Sequence, residues 1–133
     1  RDVLGSRGLG DVYKRQINHR NNTSTTRKED LTHRFYTLMM DNYREHKEVI
    51  FYADKLHVSS KYLSEVVKET SGKSPKDWII DYSLLEIKEL LKNSSLNIQE
   101  ITIRTKFLNQ SALGRFFKRH TNMSPSEYRE STY

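Results

Sequence analysis

From Leu31 onward the apolar residues recur at helical spacing, and before it they do not. Leu31, Phe35, Leu38 and Met39, continued by Asn42 and Tyr43, share one face of a helix that runs to about His46. A second, short helix is expected over residues 49–57, with Ile50, Ala53 and Leu56 inward. Val58-Ser59-Ser60 then reads as a turn, and Ser59 or Ser60 offers an oxygen to cap the next helix. That helix reaches about Thr70, with Leu63, Val66 and Val67 on one face, and Gly72 suits the left-handed residue that ends it. Ser74-Pro75 opens a long helix over about 75–92. Serine bonds a free N–H there, and proline at the first helical position loses none. Asp77 in that first turn faces the positive end of the helix dipole. The apolar side holds Trp78, Ile79, Tyr82, Leu85, Ile87, Leu90 and Leu91, and Asn93-Ser94-Ser95 breaks the helix. A short helix over about 98–105, another over about 110–120 and a last one opened by Ser124-Pro125-Ser126-Glu127 complete the chain, with Glu127 closing a capping box. No strand pattern appears. The expected fold class is all-α, with about seven helices.

The two prolines, Pro75 and Pro125, lie 50 residues apart and each follows a serine. At that offset Leu63 aligns with Leu113, Val66 with Phe116, Val67 with Phe117, Lys68 with Lys118, Asp77 with Glu127 and Trp78 with Tyr128. Upstream the offset becomes 49: Tyr52 matches Ile101, Ala53 matches Thr102 and Val58 matches Phe107. One extra residue therefore sits in the second turn. Each copy is a short helix, a tight turn, a second helix and a Ser-Pro-capped start of another, which is a helix-turn-helix unit used twice. The first unit spans about 31–76 and the second about 96–130. They are joined by the long helix into one domain over 31–133.

Residues 17–30 are polar and read as a linker or disordered segment. Residues 1–16, RDVLGSRGLGDVYKRQ, resemble translated adaptor or vector sequence and are read as a non-native leader. The leader carries +2 of the formal net charge of +6, which leaves +4 for the rest. Zero cysteines exclude disulfides, Cys-ligated zinc and thiol catalysis. The five histidines lie at least 11 residues apart, without the i, i+3 or i, i+4 spacing of a helical metal site. No nucleophile, base and orienting group come together, and no phosphate loop sits between a strand and a helix. The expectation is no enzyme, no catalytic residue, no cofactor and no metal. No apolar run of membrane-spanning length exists, so no membrane partner is expected, and a reducing cytoplasm fits.

The segments FYADKLHVSSKYLSEVVKETSGKSPKDWI and NIQEITIRTKFLNQSALGRFFKRHTNMSPSEYR resemble the DNA-binding domain of AraC/XylS-type bacterial transcription regulators. The second runs from the second motif into a Ser-Pro-x-x-Tyr-Arg ending, and the resemblance covers about residues 31–130. YADKL and LNQS resemble the Bacteroidetes-like branch. The resemblance implies a sequence-specific binder of double-stranded promoter or operator DNA. Its recognition helices would enter successive major grooves about 34 Å apart. It also implies promoter control, usually activation through contact with RNA polymerase. The family carries a separate sensing or dimerising domain, so this chain reads as a C-terminal fragment whose dimerisation, if any, belongs to a missing N-terminal domain. From the residues alone a second reading stays open, a helical protein-interaction module with incidental basic charge.

Helical phase selects candidate contacts. With Leu63, Val66 and Val67 inward, the opposite face of that helix shows Lys61, Ser64, Glu65 and Lys68. With Leu113, Phe116 and Phe117 inward, its counterpart shows Gln110, Ser111, Gly114, Arg115 and Lys118. Lys61 or Arg115 suits guanine O6 and N7, Gln110 suits adenine, and Glu65 can accept from cytosine N4. The resemblance puts base-contacting positions at Lys61, Ser64, Glu65, Ser111 and Arg115. Lys68 and Lys118, further along, suit phosphate. Ser59 and Asn109 stand where helix N-termini meet phosphate with backbone N–H groups. Charge is uneven: residues 101–129 sum to +5 and residues 77–100 to −3, so the second unit is the expected electrostatic anchor. Lys106 occupies a turn position where the family usually has a small residue, and Thr102 stands where it prefers alanine.

Overall fold

A computed structural model describes residues 26–132. Among them are seven α-helices and no strand: α1 (Arg27–Asn42), α2 (Val49–Leu56), α3 (Ser60–Ser71), α4 (Pro75–Asn93), α5 (Ile98–Arg104), α6 (Gln110–Thr121) and α7 (Pro125–Glu130). The leader read over 1–16, and the linker as far as residue 25, lie outside the described residues. The end of that linker is helix instead. Thr26 Oγ1 accepts from Glu29 N at 3.1 Å, and Glu29 Oε1 accepts from Thr26 N at 3.2 Å. This capping box starts α1 four residues before Leu31. The first turn carries no apolar residue, so apolar periodicity does not register it.

The chain divides into two compact units, the first ending at Tyr82 and the second beginning at Ser83, so the division falls inside α4. In the first unit α1 packs on α2 and α3. Phe35 meets Tyr52 edge-on at 5.4 Å, and the hydroxyls of Tyr36 and Tyr82 lie 2.9 Å apart. Tyr52 is fully buried and its hydroxyl donates to His46 O at 2.7 Å. Burial, with Glu48 and Glu45 nearby, pushes its phenol above the ordinary tyrosine range. Ile50, expected inward, is instead 60% exposed. The core face of α2 runs through Tyr52, Ala53 and Leu56, and Ile50 lies one position off that face.

In the second unit Ile87 and Leu91 of α4 provide the ridge against which Ile101, Leu113 and Phe117 close. Leu84, Leu90, Phe107, Phe116 and Tyr128 pack around them, partly buried. Long α4 joins the two units, as expected, and contributes to both cores: Trp78, Ile79 and Tyr82 belong to the first, Ile87 and Leu91 to the second.

The internal repeat extends to the backbone. His57 (φ 61°) and Lys106 (φ 66°) close the two tight turns in the left-handed region, 49 positions apart. Gly72 (φ 86°) and Asn122 (φ 65°) end α3 and α6 in the same region, 50 apart. Ser71 Oγ and Thr121 Oγ1 play one part: each donates to the carbonyl four residues back and accepts from the N–H two residues on. Ser124 and Glu127 form the expected capping box, and these bonds hold the Glu127 carboxyl below the usual carboxylate range. Thr102 is buried and its hydroxyl donates to Ile98 O at 2.8 Å. A helix interior thus accepts threonine where a smaller side chain would have no polar group to satisfy.

Lysine in the left-handed region is strained where glycine is not. Lys106→Gly is therefore expected to stabilise the second unit by about 1 kcal/mol, seen as a rise of about 4–8 °C in melting temperature. An unchanged or lower melting temperature would show that the Lys106 side chain, not its backbone, dominates at this turn.

Candidate nucleic-acid interface

Helices α3 and α6 are amphipathic in the same register. Leu63, Val66 and Val67 are buried on α3, as are Leu113 and Phe117 on α6. Phe116, expected inward, is only partly buried and packs on Phe107 at 5.1 Å. On the opposite face of α3, Lys61, Glu65 and Lys68 are exposed and Ser64 is partly buried. On α6, Gln110, Ser111, Arg115 and Lys118 are exposed. Each helix therefore gathers its own predicted contacts into one polar stripe. A Cβ built on Gly114 would meet nothing within 4 Å, so packing does not require glycine there.

Helix ends are tied down by the residues proposed to meet phosphate. Ser59 Oγ accepts from Tyr62 N at 3.0 Å, and Asn109 Oδ1 accepts from Ala112 N at 2.8 Å. Their side chains thus complete N-caps. What each helix end can offer an anion is the N–H groups of its first two residues, Ser60 and Lys61 or Gln110 and Ser111.

Gln110 Nε2 also donates to Gln99 Oε1 at 2.8 Å, a pairing that restrains the first side chain of α6. Gln99 escapes sequence reasoning because the bond spans the turn, at a separation with no periodic signature. Arg119 is a further exposed cation on α6 without an assigned role.

Two cations of the second unit, of which only Arg129 belongs to the +5, bind within the fold instead. Arg129 is partly buried, and its Nε donates to Leu91 O at 2.9 Å while Nη2 reaches Leu90 O at 3.3 Å. It caps the C-terminal end of α4, where carbonyls lack helical partners and the dipole favours a cation. Lys92 donates to Ser131 O at 2.6 Å and lies 4.9 Å over the Tyr128 ring. Tyr128 in turn meets Phe117 edge-on at 5.4 Å. The Ser-Pro-x-x-Tyr-Arg ending is thus a clasp on the second core. In the first unit Trp78 plays the matching part, donating through Nε1 to Ser71 Oγ at 2.9 Å beneath the Lys73 ammonium. Removing Arg129 from the +5 leaves Arg104, Lys106, Arg115, Lys118 and Arg119 as its exposed positive groups. Among the described residues no cluster of His, Asp and Glu could hold a metal, and no helix is long and apolar enough to cross a membrane.

The chain matches the helix-turn-helix domain family over residues 52–131, a span that contains both tight turns. The Msm operon regulatory protein of Streptococcus mutans is 31% identical over 78 residues, covering 59% of this chain and 28% of that protein. The C-terminal domain of AraT, a response regulator from Geobacillus stearothermophilus, has a similar structure (TM-score 0.69, 25% identity), covering 81% of this chain and 93% of that one. The DNA-binding domain of AdpA, a global transcriptional factor solved in complex with a target DNA, shares the fold at a TM-score of 0.63 and 23% identity, covering 74% of this chain and 88% of that one. This chain spans less than a third of the length of the curated relatives it first matches, 32% and 28%. The repeated helix-turn-helix architecture and the family match across both turns lead to one assignment: the chain belongs to the AraC/XylS-type helix-turn-helix family of DNA-binding transcription regulators.

Proposed function

We propose that this chain reads double-stranded DNA by sequence, with α3 and α6 each entering a major groove. Lys61, Ser64 and Glu65 on α3 and Gln110, Ser111 and Arg115 on α6 contact bases. Lys68 and Lys118, with the helix N-termini capped by Ser59 and Asn109, contact phosphate. The observation that carries the reading is the recurrence of one exposed polar stripe on the second helix of two copies of the same unit. A solvated face needs no such register, whereas two base-reading helices do. The domain would serve a regulator acting in the cytoplasm on the nucleoid. By the family's plan it activates transcription through RNA polymerase, with sensing and dimerisation in another domain. The chemistry is recognition, with no catalytic step and no cofactor.

Duplex binding is expected to fall steeply with salt, since neutralised phosphates release counterions. Lys118→Ala should weaken binding almost uniformly across sequences and reduce the magnitude of the salt slope by about 1. A mobility-shift titration at several salt concentrations measures both. No duplex binding at low salt would sink the proposed function, and an unchanged slope would remove Lys118 from the phosphate contacts.

A further inference from the structure

Leu108 is the inserted residue of the second turn. Val58 and Phe107 are counterparts by their turn bonds, Val58 N donating to Ala53 O at 3.0 Å and Phe107 N to Thr102 O at 3.2 Å. Ser59 and Asn109 are counterparts as N-caps of α3 and α6. The first pair is 49 positions apart and the second 50, so the extra residue is the one between Phe107 and Asn109. In the first unit the residue before the cap is Val58, which packs on the core. In the second, Phe107 fills that core position and Leu108 precedes the cap. From there a hydrophobic staple would reach Leu113, four helical positions on. That staple is not made, because Leu113 is fully buried while Leu108 is 90% exposed. Folding thus leaves a leucine in water at the mouth of α6, separated only by the cap Asn109 from the exposed polar pair Gln110 and Ser111.

We propose that Leu108 is a specificity-determining residue that packs against the C5-methyl of a thymine beside the bases read by α6. This deepens the DNA-reading assignment and rests on it. Thymine fits because its methyl is the apolar group in the major groove and lies among hydrogen-bonding base edges. The leucine likewise stands beside polar readers rather than in a broad apolar patch. Its contact would add base preference at the turn, where the first unit places a residue in its own core.

The test uses the intact chain and a duplex selected from random sequence, with each thymine replaced in turn by deoxyuridine to delete one methyl. The wild-type chain is expected to lose about fourfold in affinity at one thymine, the worth of one buried methyl group. Leu108→Ser should bind the unmodified duplex about fourfold more weakly, show no response to that deoxyuridine and melt at the wild-type temperature. Retained methyl sensitivity in Leu108→Ser, or none at any thymine in the wild type, overturns the proposal while leaving DNA reading intact. Failure of the wild-type chain to bind any duplex overturns both.

Discussion

Phe117→Ala is expected to cost the second unit about 3–5 kcal/mol, the range for truncating a buried phenylalanine. The side chain is fully buried, and its core is small: among the described residues it holds five buried hydrophobic side chains, against fourteen in the first unit. Few neighbours remain to collapse into the cavity, so the cost belongs at the upper end of that range. Tyr128, which meets Phe117 edge-on at 5.4 Å, would lose its partner, and the Lys92 and Arg129 contacts around it would loosen. Against a total stability of about 5–15 kcal/mol for a domain, such a loss is decisive. Trp78 belongs to the first core, so tryptophan fluorescence follows the first unit. Hydrogen exchange at the α6 amides follows the second. Exchange at α6 should accelerate strongly in Phe117→Ala and much less in Phe117→Leu, which keeps most of the volume. DNA affinity should fall with it, because Arg115 and Lys118 are carried on the same helix. Unaltered exchange at α6 would contradict the described core.

What made the fold legible was redundancy. Either Ser-Pro cap alone is a common turn, but two at one offset, each with the same apolar triplet upstream, define a unit twice. The left-handed residues recur with the repeat, Gly72 and Asn122 at that offset and His57 and Lys106 at the upstream offset of 49, although the lysine side chain gives no local hint. Legibility failed where a residue's role depends on a partner distant in sequence. Arg129 counts as surface charge until the open carbonyls at the end of α4 are placed beside it. Ile50 looks like core because a short helix tolerates more than one choice of apolar face, and only packing against α1 selects Tyr52. The start of α1 is a capping box without an apolar residue. The polar stripes on α3 and α6 were readable from helical phase, since burying three apolar positions fixes what faces outward. The Gln99 partner of Gln110 and the exposure of Leu108 were not, because both arise from how the turn closes.

Arg115→Ala is expected to weaken binding to the selected duplex by about 1–3 kcal/mol and to relax preference at one base pair. The contrast with Arg129 explains why the effect should fall on recognition rather than folding. Arg129 is partly buried on carbonyls, whereas Arg115 stands exposed one turn beyond Ser111 on the outer face of α6. Removing an exposed side chain of this kind changes stability by only about 0.5 kcal/mol, so the melting temperature should hold. Guanidinium is the best match to guanine O6 and N7 because its planar fork donates two parallel hydrogen bonds. Arg115→Lys keeps the charge but not the fork, and should therefore retain affinity for non-specific duplex while losing discrimination at that base pair. Affinities measured against a panel of single-base variants of the selected duplex separate these effects. If Arg115→Ala lowers affinity for every duplex equally and reduces the salt slope, its guanidinium holds a phosphate. Base reading by α6 would then rest on Gln110, Ser111 and the turn that precedes them.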